Sequence, residues 1–233
     1  MAFPRRVLAA VIGGLAVAGA VRAEETKPLE VAFNLGAATN YEFRGISQTS
    51  NRGEIFGGLD ATIERIGYAG VWLSNVDFSN GTRAEYDIYG GVKPTLGPVT
   101  LDLGLIRYGY TNQPPGPTKT YTEWKLAPSM PLGPATIGLA YFYTDHFSGR
   151  SGAASYYELN GYTPIGSTAF SVSGALGRRA VAGPGDYATW NLGLGYALNS
   201  RLGFDLRYWD TDKHGFGSVY RPRIVVSAKA VFP

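Results

Sequence analysis

From Leu29 the odd positions read Leu29, Val31, Phe33, Leu35, Ala37, Thr39, Tyr41 and Phe43. The even positions read Glu30, Ala32, Asn34, Gly36, Ala38, Asn40, Glu42 and Arg44. One row is apolar and ends in aromatics; the other is small or charged. This period of two predicts a strand longer than the usual ~5–6 residues of a globular sheet. The pattern recurs along the chain. Ile55, Leu59 and Ile63 alternate with Glu54, Asp60 and Glu64, and Tyr68, Trp72 and Val76 make one face of the next run. Tyr86 and Ile88 alternate with Glu85, Asp87 and Lys93, and Val99 to Leu105 alternate with Thr100, Asp102 and Gly104. Trp124 and Leu126 alternate with Glu123 and Lys125; Ile137 to Tyr143 alternate with Thr136, Gly138 and Ala140; Tyr157 and Leu159 alternate with Tyr156, Glu158 and Asn160. Phe170, Val172 and Leu176, then Trp190 to Tyr196, then Leu202 to Tyr208 (opposite Asp205 and Arg207), then Ile224 to Phe232 (opposite Ser227 and Lys229) complete the series.

This gives about twelve strands, each with room for ~9–11 residues and a connection. The connections alternate in length. Short ones fall at Arg65–Gly67, Lys93–Pro98, Pro128–Pro134, Pro164–Ser167 and Leu198–Arg201. Long ones fall at Gly45–Arg52, Ser79–Arg83, Thr111–Lys119, Asp145–Ala153, Arg178–Asp186 and Asp210–Tyr220. With an even strand number, all long loops lie at one end and both termini at the other, as in outer-membrane barrels.

Residues 1–23 read as a secretory signal peptide: Arg5 and Arg6, an apolar run, then Val21-Arg22-Ala23 as a cleavage site. Residues 24–233 are the expected barrel. Without the leader, eighteen basic residues balance eighteen acidic ones, so the overall charge of +3 gives no footprint for nucleic acid. The absence of cysteine excludes a disulfide framework. After the leader no apolar run reaches the ~20 residues of a spanning helix. A soluble sandwich is the competing all-β class, but its polar faces would meet water. Here the polar row mixes Gly, Ala and Ser with charges of both signs, as a confined lumen requires. The apolar row ends in Tyr41, Trp72, Tyr86, Trp124, Tyr143, Tyr196 and Tyr208, matching aromatic girdles at a bilayer interface. The fold expected is all-β: a transmembrane antiparallel up-and-down β-barrel.

Tyr41-Glu42-Phe43-Arg44-Gly45-Ile46-Ser47-Gln48-Thr49 resembles the Y-x-F-R-G-I-S-Q-T segment of the TorF-type porin family, also described as conserved proteobacterial proteins of unknown function. Ala69 to Val76 and Glu85 to Gly91 resemble two further segments of that family, and Tyr121-Thr122-Glu123 fits it more loosely. The resemblance is strong over roughly Leu29 to Gly91. It implies an outer-membrane barrel of this length and brings no catalytic residue.

The candidate chemistry is a charged lumen. The pore-lining residues expected are Arg44, Asp60, Asp87, Glu123, Lys125, Glu158 and Arg207. Arg44 would sit at the mouth, paired with Glu42 or Glu54, as a gate or as a structural anchor of the first loop. Inward charges that pair across the interior would make a scaffold; acids and bases on opposite walls would make a transverse field. Arg107 breaks an apolar row, so it either meets lipopolysaccharide phosphates or turns inward at a bulge. His146 with Asp145 and Ser148 raises the possibility of a wall-mounted hydrolase, but no Gly-x-Ser-x-Gly elbow is present. Asp210, Asp212 and His214 read as an acidic loop rather than a metal site. No cofactor, metal or catalytic residue is expected. The expected partners are outer-membrane lipid and lipopolysaccharide, periplasmic chaperones and the barrel-assembly machinery during export, and a small polar solute. The function expected is a porin for passive diffusion; the alternatives are a non-conducting scaffold or loop-mediated binding protein, and the hydrolase.

Overall fold

The computed structural model describes residues 28–233. The expected leader, residues 1–23, lies outside the described residues. Twelve long strands form the wall: β1 (Leu29–Ala38), β2 (Glu54–Ile63), β3 (Gly67–Asn75), β4 (Ala84–Val92), β5 (Val99–Tyr110), β6 (Tyr121–Leu132), β7 (Ala135–Thr144), β8 (Ala154–Pro164), β9 (Phe170–Val181), β10 (Tyr187–Ala197), β11 (Leu202–Thr211) and β12 (Arg223–Phe232). Every strand pairs antiparallel with its sequence neighbours, and β1 pairs with β12 from Phe33↔Phe232 to Ala38↔Ser227. The wall is therefore a closed up-and-down barrel with no free edge.

The outward rows are apolar and exposed. On β1 they are Leu29, Val31, Phe33 and Leu35; on β12 they are Ile224, Val226 and Phe232. Phe232 stacks on Phe33 across the closing seam, with ring centroids 6.0 Å apart. Tyr86, Trp124, Tyr143 and Tyr208 ring the loop end of the wall, while Phe170, Tyr196 and Phe204 ring the turn end. Those two bands match the expected girdles.

Five local readings change. The first strand ends at Ala38, not at Phe43, because residues 40–49 leave the wall and fold inward. Tyr41 and Trp72, expected on the lipid face, are 3% and 8% exposed and pack together inside with Phe56 and Val76. On β3 the outward row is instead Val71 and Leu73. Both rows of β3 are apolar, so alternation alone left its facing open. The expected turn Pro128–Pro134 shrinks to Gly133-Pro134, since β6 continues to Leu132. Arg178 and Arg179 belong to β9, not to the following loop; Arg178 is exposed and Arg179 lies over the Phe147 ring at 4.1 Å. Glu64 sits in the exposed β2–β3 turn with φ +48°, not on the inner row. Arg107 keeps the outward register, donating to Thr122 Oγ1 at 3.0 Å, so no bulge turns it inward.

A wall whose outward row meets lipid tolerates charge poorly near its mid-height. Leu139→Arg in β7, which places a charge on an exposed apolar position, is expected to lower the unfolding free energy by about 2–4 kcal/mol. Arg201→Ala, in a turn, should leave it unchanged. Urea unfolding in lipid vesicles, followed by tryptophan fluorescence, checks both.

Candidate functional site

The inner rows differ between the two ends of the barrel. Toward the turn end, Asp60, Lys93, Glu158, Asn160, Ser173 and Lys229 are only partly buried. Toward the loop end the interior is packed. Tyr41, Phe56, Trp72 and Val76 form one buried cluster, and Ile106, Tyr108, Tyr121, Phe142 and Tyr156 form a second. Phe43, from the inward-folded segment, packs against both.

That segment is a tight hairpin. Glu42 pairs with Ser47 and Phe43 with Ile46, leaving Arg44-Gly45 as a two-residue turn. Both turn residues have positive φ, +53° and +79°. Such turns favour left-handed conformers; an arginine there is uncommon. Gly45 is required for a second reason. A Cβ at that position would lie 2.1 Å from Thr189 Oγ1 of β10. The base of the hairpin is tied internally: Gln48 N–H donates to Tyr41 O at 2.8 Å, Ser47 Oγ to Asn40 Oδ1 at 2.7 Å, and Tyr41 N–H to Thr49 Oγ1 at 3.2 Å.

Arg44 reaches across the lumen to β6. Its Nη1 and Nη2 donate to the two oxygens of Glu123 at 2.8 and 2.6 Å. Its guanidinium carbon lies 4.6, 4.6 and 4.4 Å from the ring centroids of Phe43, Phe142 and Tyr156. Tyr108 donates to Glu123 Oε2 at 3.1 Å. This is a bidentate fork inside an aromatic cage, the arrangement that suits a planar delocalised cation. The expected partners Glu42 and Glu54 are engaged elsewhere. Arg223 Nη1 donates to Glu42 at 2.6 Å, and Ser74 Oγ donates to Glu54 at 3.2 Å. The hairpin carries Arg44 to a partner 79 positions on, which no local pattern reveals.

The other expected lining residues all face inward. Asp60 accepts from Asn34 at 3.0 Å and from the Tyr89 hydroxyl. Lys125 donates to Asp102 at 2.8 Å. Glu158 accepts from Tyr156 and Asn160, both at 3.0 Å. Arg207 donates to Asp205, to Asn191 at 2.6 Å and to Ser173 at 2.7 Å. Gly193 makes room for it, since a Cβ there would lie 2.4 Å from Arg207 Cζ. Asp87 is fully buried, and neither of its carboxylate oxygens has a hydrogen-bond partner. The sequence reading missed Arg179 and Arg223 as interior cations. Arg223 starts the same inner row as Ser227 and Lys229, so the alternation of β12 held that signal.

The charges neither pair wholly across the lumen nor separate wholly by wall. Glu54, Asp60, Glu85, Asp87, Asp102 and Glu123 lie on β2 to β6, with Lys125 among them. Arg179, Arg207, Arg223 and Lys229 lie on β9 to β12 with Asp205. The first wall is richer in acid and the second in base.

Elsewhere the chemistry is slight. His146 and Asp145 are about three-quarters exposed and 3.9 Å apart. His214 pairs with Asp210 at 2.7 Å, while Asp212 accepts from the Ala188 N–H at 2.8 Å, so the three do not converge on one point. Among the described residues no group of three or more acidic, histidine or cysteine side chains is placed to hold a metal.

A family model for bacterial proteins of unknown function, Gcw_chp, matches residues 22–233. The chain belongs to this family. Comparison with curated proteins finds no matching sequence. Among solved structures, the KdgM porin matches with a TM-score of 0.63 at 7% identity, covering 87% of this chain and 99% of its own. The NanC porin matches with a TM-score of 0.61 at 11% identity, covering 88% and 100%. An outer-membrane channel from Pseudomonas putida F1 gives 0.54 at 9% identity, covering 87% and 92%. At these identities the likeness shows the fold: this Gcw_chp chain shares the barrel architecture of outer-membrane porins.

Removing one partner of a buried ion pair strands the other charge. Glu123→Leu and Arg44→Met are each expected to cost this Gcw_chp barrel about 3–5 kcal/mol. Arg44→Met combined with Glu123→Leu should recover most of that loss. A double-mutant cycle by urea unfolding in lipid vesicles measures the coupling.

Proposed function

We propose that the protein is a narrow porin-like channel of the Gram-negative outer membrane, passing small polar or charged solutes by passive diffusion when the first loop-end hairpin withdraws. The observation that carries this reading is the contrast along the lumen. Partly exposed charges line the turn half and lead up to a packed loop half, where the hairpin meets the wall's aromatic side chains. Asp60, Lys125, Glu158 and Arg207 line the vestibule in this reading, and Arg44, Asp87 and Glu123 belong to the packed half. The resemblance to TorF-type porins and the shared fold of the KdgM and NanC porins support it. The KdgM porin is known in complex with a disordered oligogalacturonate, a polyanion. Here an acid-rich β2–β6 wall accompanies a base-rich β9–β12 wall, a transverse field that would orient charged solutes.

The long loops then face outside, and residues 1–23 serve as the cleaved leader. Periplasmic chaperones and barrel-assembly machinery would handle the exported chain, with Phe232 as the lipid-facing aromatic of the last strand. Arg107, exposed on the wall toward its loop end, would meet lipopolysaccharide phosphates. The packed loop half favours a second reading, a non-conducting barrel. Conductance separates the two.

The test is single-channel conductance of residues 24–233, refolded and inserted in a planar bilayer. Small steps are expected from the natural chain. Gly45→Val, whose side chain collides with Thr189, is expected to expel the hairpin and give larger or longer openings. A folded, heat-modifiable barrel that gives no steps in either protein overturns the channel reading.

A further inference from the structure

Apart from the Phe43 ring, the socket that holds Arg44 is built by the wall and not by the hairpin. Glu123 and Tyr121 come from β6, Phe142 from β7, Tyr156 from β8 and Tyr108 from β5. Tyr108 and Tyr121 stack at 4.6 Å, and Tyr108 orients Glu123 through its hydroxyl. Removing the hairpin would leave a bidentate carboxylate between two ring faces, Phe142 and Tyr156. Asp87 of β4 stands in register with Tyr108 on the same wall, and its carboxylate has no hydrogen-bond partner. The socket therefore offers carboxylate acceptors and π-faces, and the described residues place no second basic side chain in hydrogen-bond contact with Glu123.

We propose that Glu123, Phe142 and Tyr156 form a recognition site for guanidinium-bearing organic cations, which Arg44 fills as a tethered ligand, so that a free cation of this class competes with the hairpin for the site. The binding claim stands on the socket alone. Only its consequence, an opened lumen, rests on the channel reading above.

Guanidinium is the class that fits. A planar fork meets both oxygens of Glu123 at once, and a delocalised cation loses less hydration between rings than a compact ammonium does. The hairpin is able to leave as a unit, because the bonds of Asn40, Ser47 and Thr49 that shape it are internal. Its polar ties to the barrel are Tyr41 to Glu85 at 2.9 Å, Glu42 to Arg223, Arg44 to Glu123, and Gln48 and Ser50 to the Asp77 backbone; the rest of its hold is the packing of Tyr41 on Trp72 and of Phe43 on Tyr108. A tethered ligand acts at an effective concentration on the order of millimolar or more. A free cation must exceed that to compete with the natural chain, but not with a chain that lacks Arg44.

The experiment titrates methylguanidinium chloride, against sodium chloride at equal ionic strength, into refolded Arg44→Ala barrel in detergent. The readout is the midpoint of heat modifiability. Methylguanidinium is expected to raise the midpoint saturably, with half-effect in the millimolar range, and sodium is expected to do nothing. Adding Glu123→Gln should abolish the rise. No saturable rise, or one that survives Glu123→Gln, overturns the proposal. Should Arg44→Ala fail to refold, hydrogen exchange of residues 40–52 in the natural chain decides. Methylguanidinium must accelerate it saturably where sodium does not, and unchanged exchange overturns the proposal. Stabilisation without conductance would sink the channel reading alone; conductance without stabilisation would sink the recognition site alone.

Discussion

Closure of β1 on β12 is the constraint from which the rest follows. A strand wall in lipid has no water to satisfy an open edge, so every backbone group must pair within the sheet. Closing the sheet turns one row of each strand to lipid and the other to a confined interior. Lipid takes the apolar row, and all the wall's charge is forced inward. Buried charge needs a partner, which is why Arg207 collects Asp205, Asn191 and Ser173, and why Asp102 collects Lys125 and Tyr68. Twelve strands set the bore between an eight-stranded barrel filled by its own side chains and a sixteen-stranded open porin. The loop half is filled by wall side chains such as Tyr108, Phe142 and Trp72 together with Tyr41, Phe43 and Arg44, which the hairpin supplies.

Much of this architecture was legible in the chain. Alternation gave the strand number, and loop lengths gave the up-and-down path, because both depend on residues close in sequence. What alternation does not carry is which row faces in when both rows are apolar. Trp72 sits on such a strand, and its burial depends on Tyr41, 31 positions earlier, arriving from a loop. Pro128 and Pro131 read as a turn, but they fall within β6, where the ladder to β7 skips Pro128. The inward charges of the wall were legible because each lies on the small-residue row of its strand. The ion pair of Arg44 with Glu123 was not, because hairpin and wall meet only after the barrel closes.

The family resemblance of the Tyr41–Thr49 segment then has a physical content. Tyr41 anchors to Glu85, Glu42 to Arg223 and Arg44 to Glu123; Gly45 clears Thr189; Ser47 and Thr49 hold the base of the turn. These six of the motif's nine residues each have a geometric task within one small device. The loop is thus specified as tightly as the strands are, unlike the other loop-end connections, whose residues lie mostly at the surface.

The type of fastening matters to what the device does. A plug meant only to close a barrel is better held by apolar side chains of the same volume, since a buried ion pair returns little more than its desolvation costs. An Arg–Glu fork at the centre of an otherwise aromatic plug is a weak fastener for its burial. It is, however, a selective one. Its strength depends on charge, planarity and the presence of a matching fork, so it yields to chemistry and not merely to thermal motion. An apolar plug would open to any solute that wets it. In the channel reading proposed above, a plug fastened through Glu123 would open most readily to a solute that satisfies Glu123 as well as Arg44 does, which would link the closed state of the lumen to the identity of what enters it.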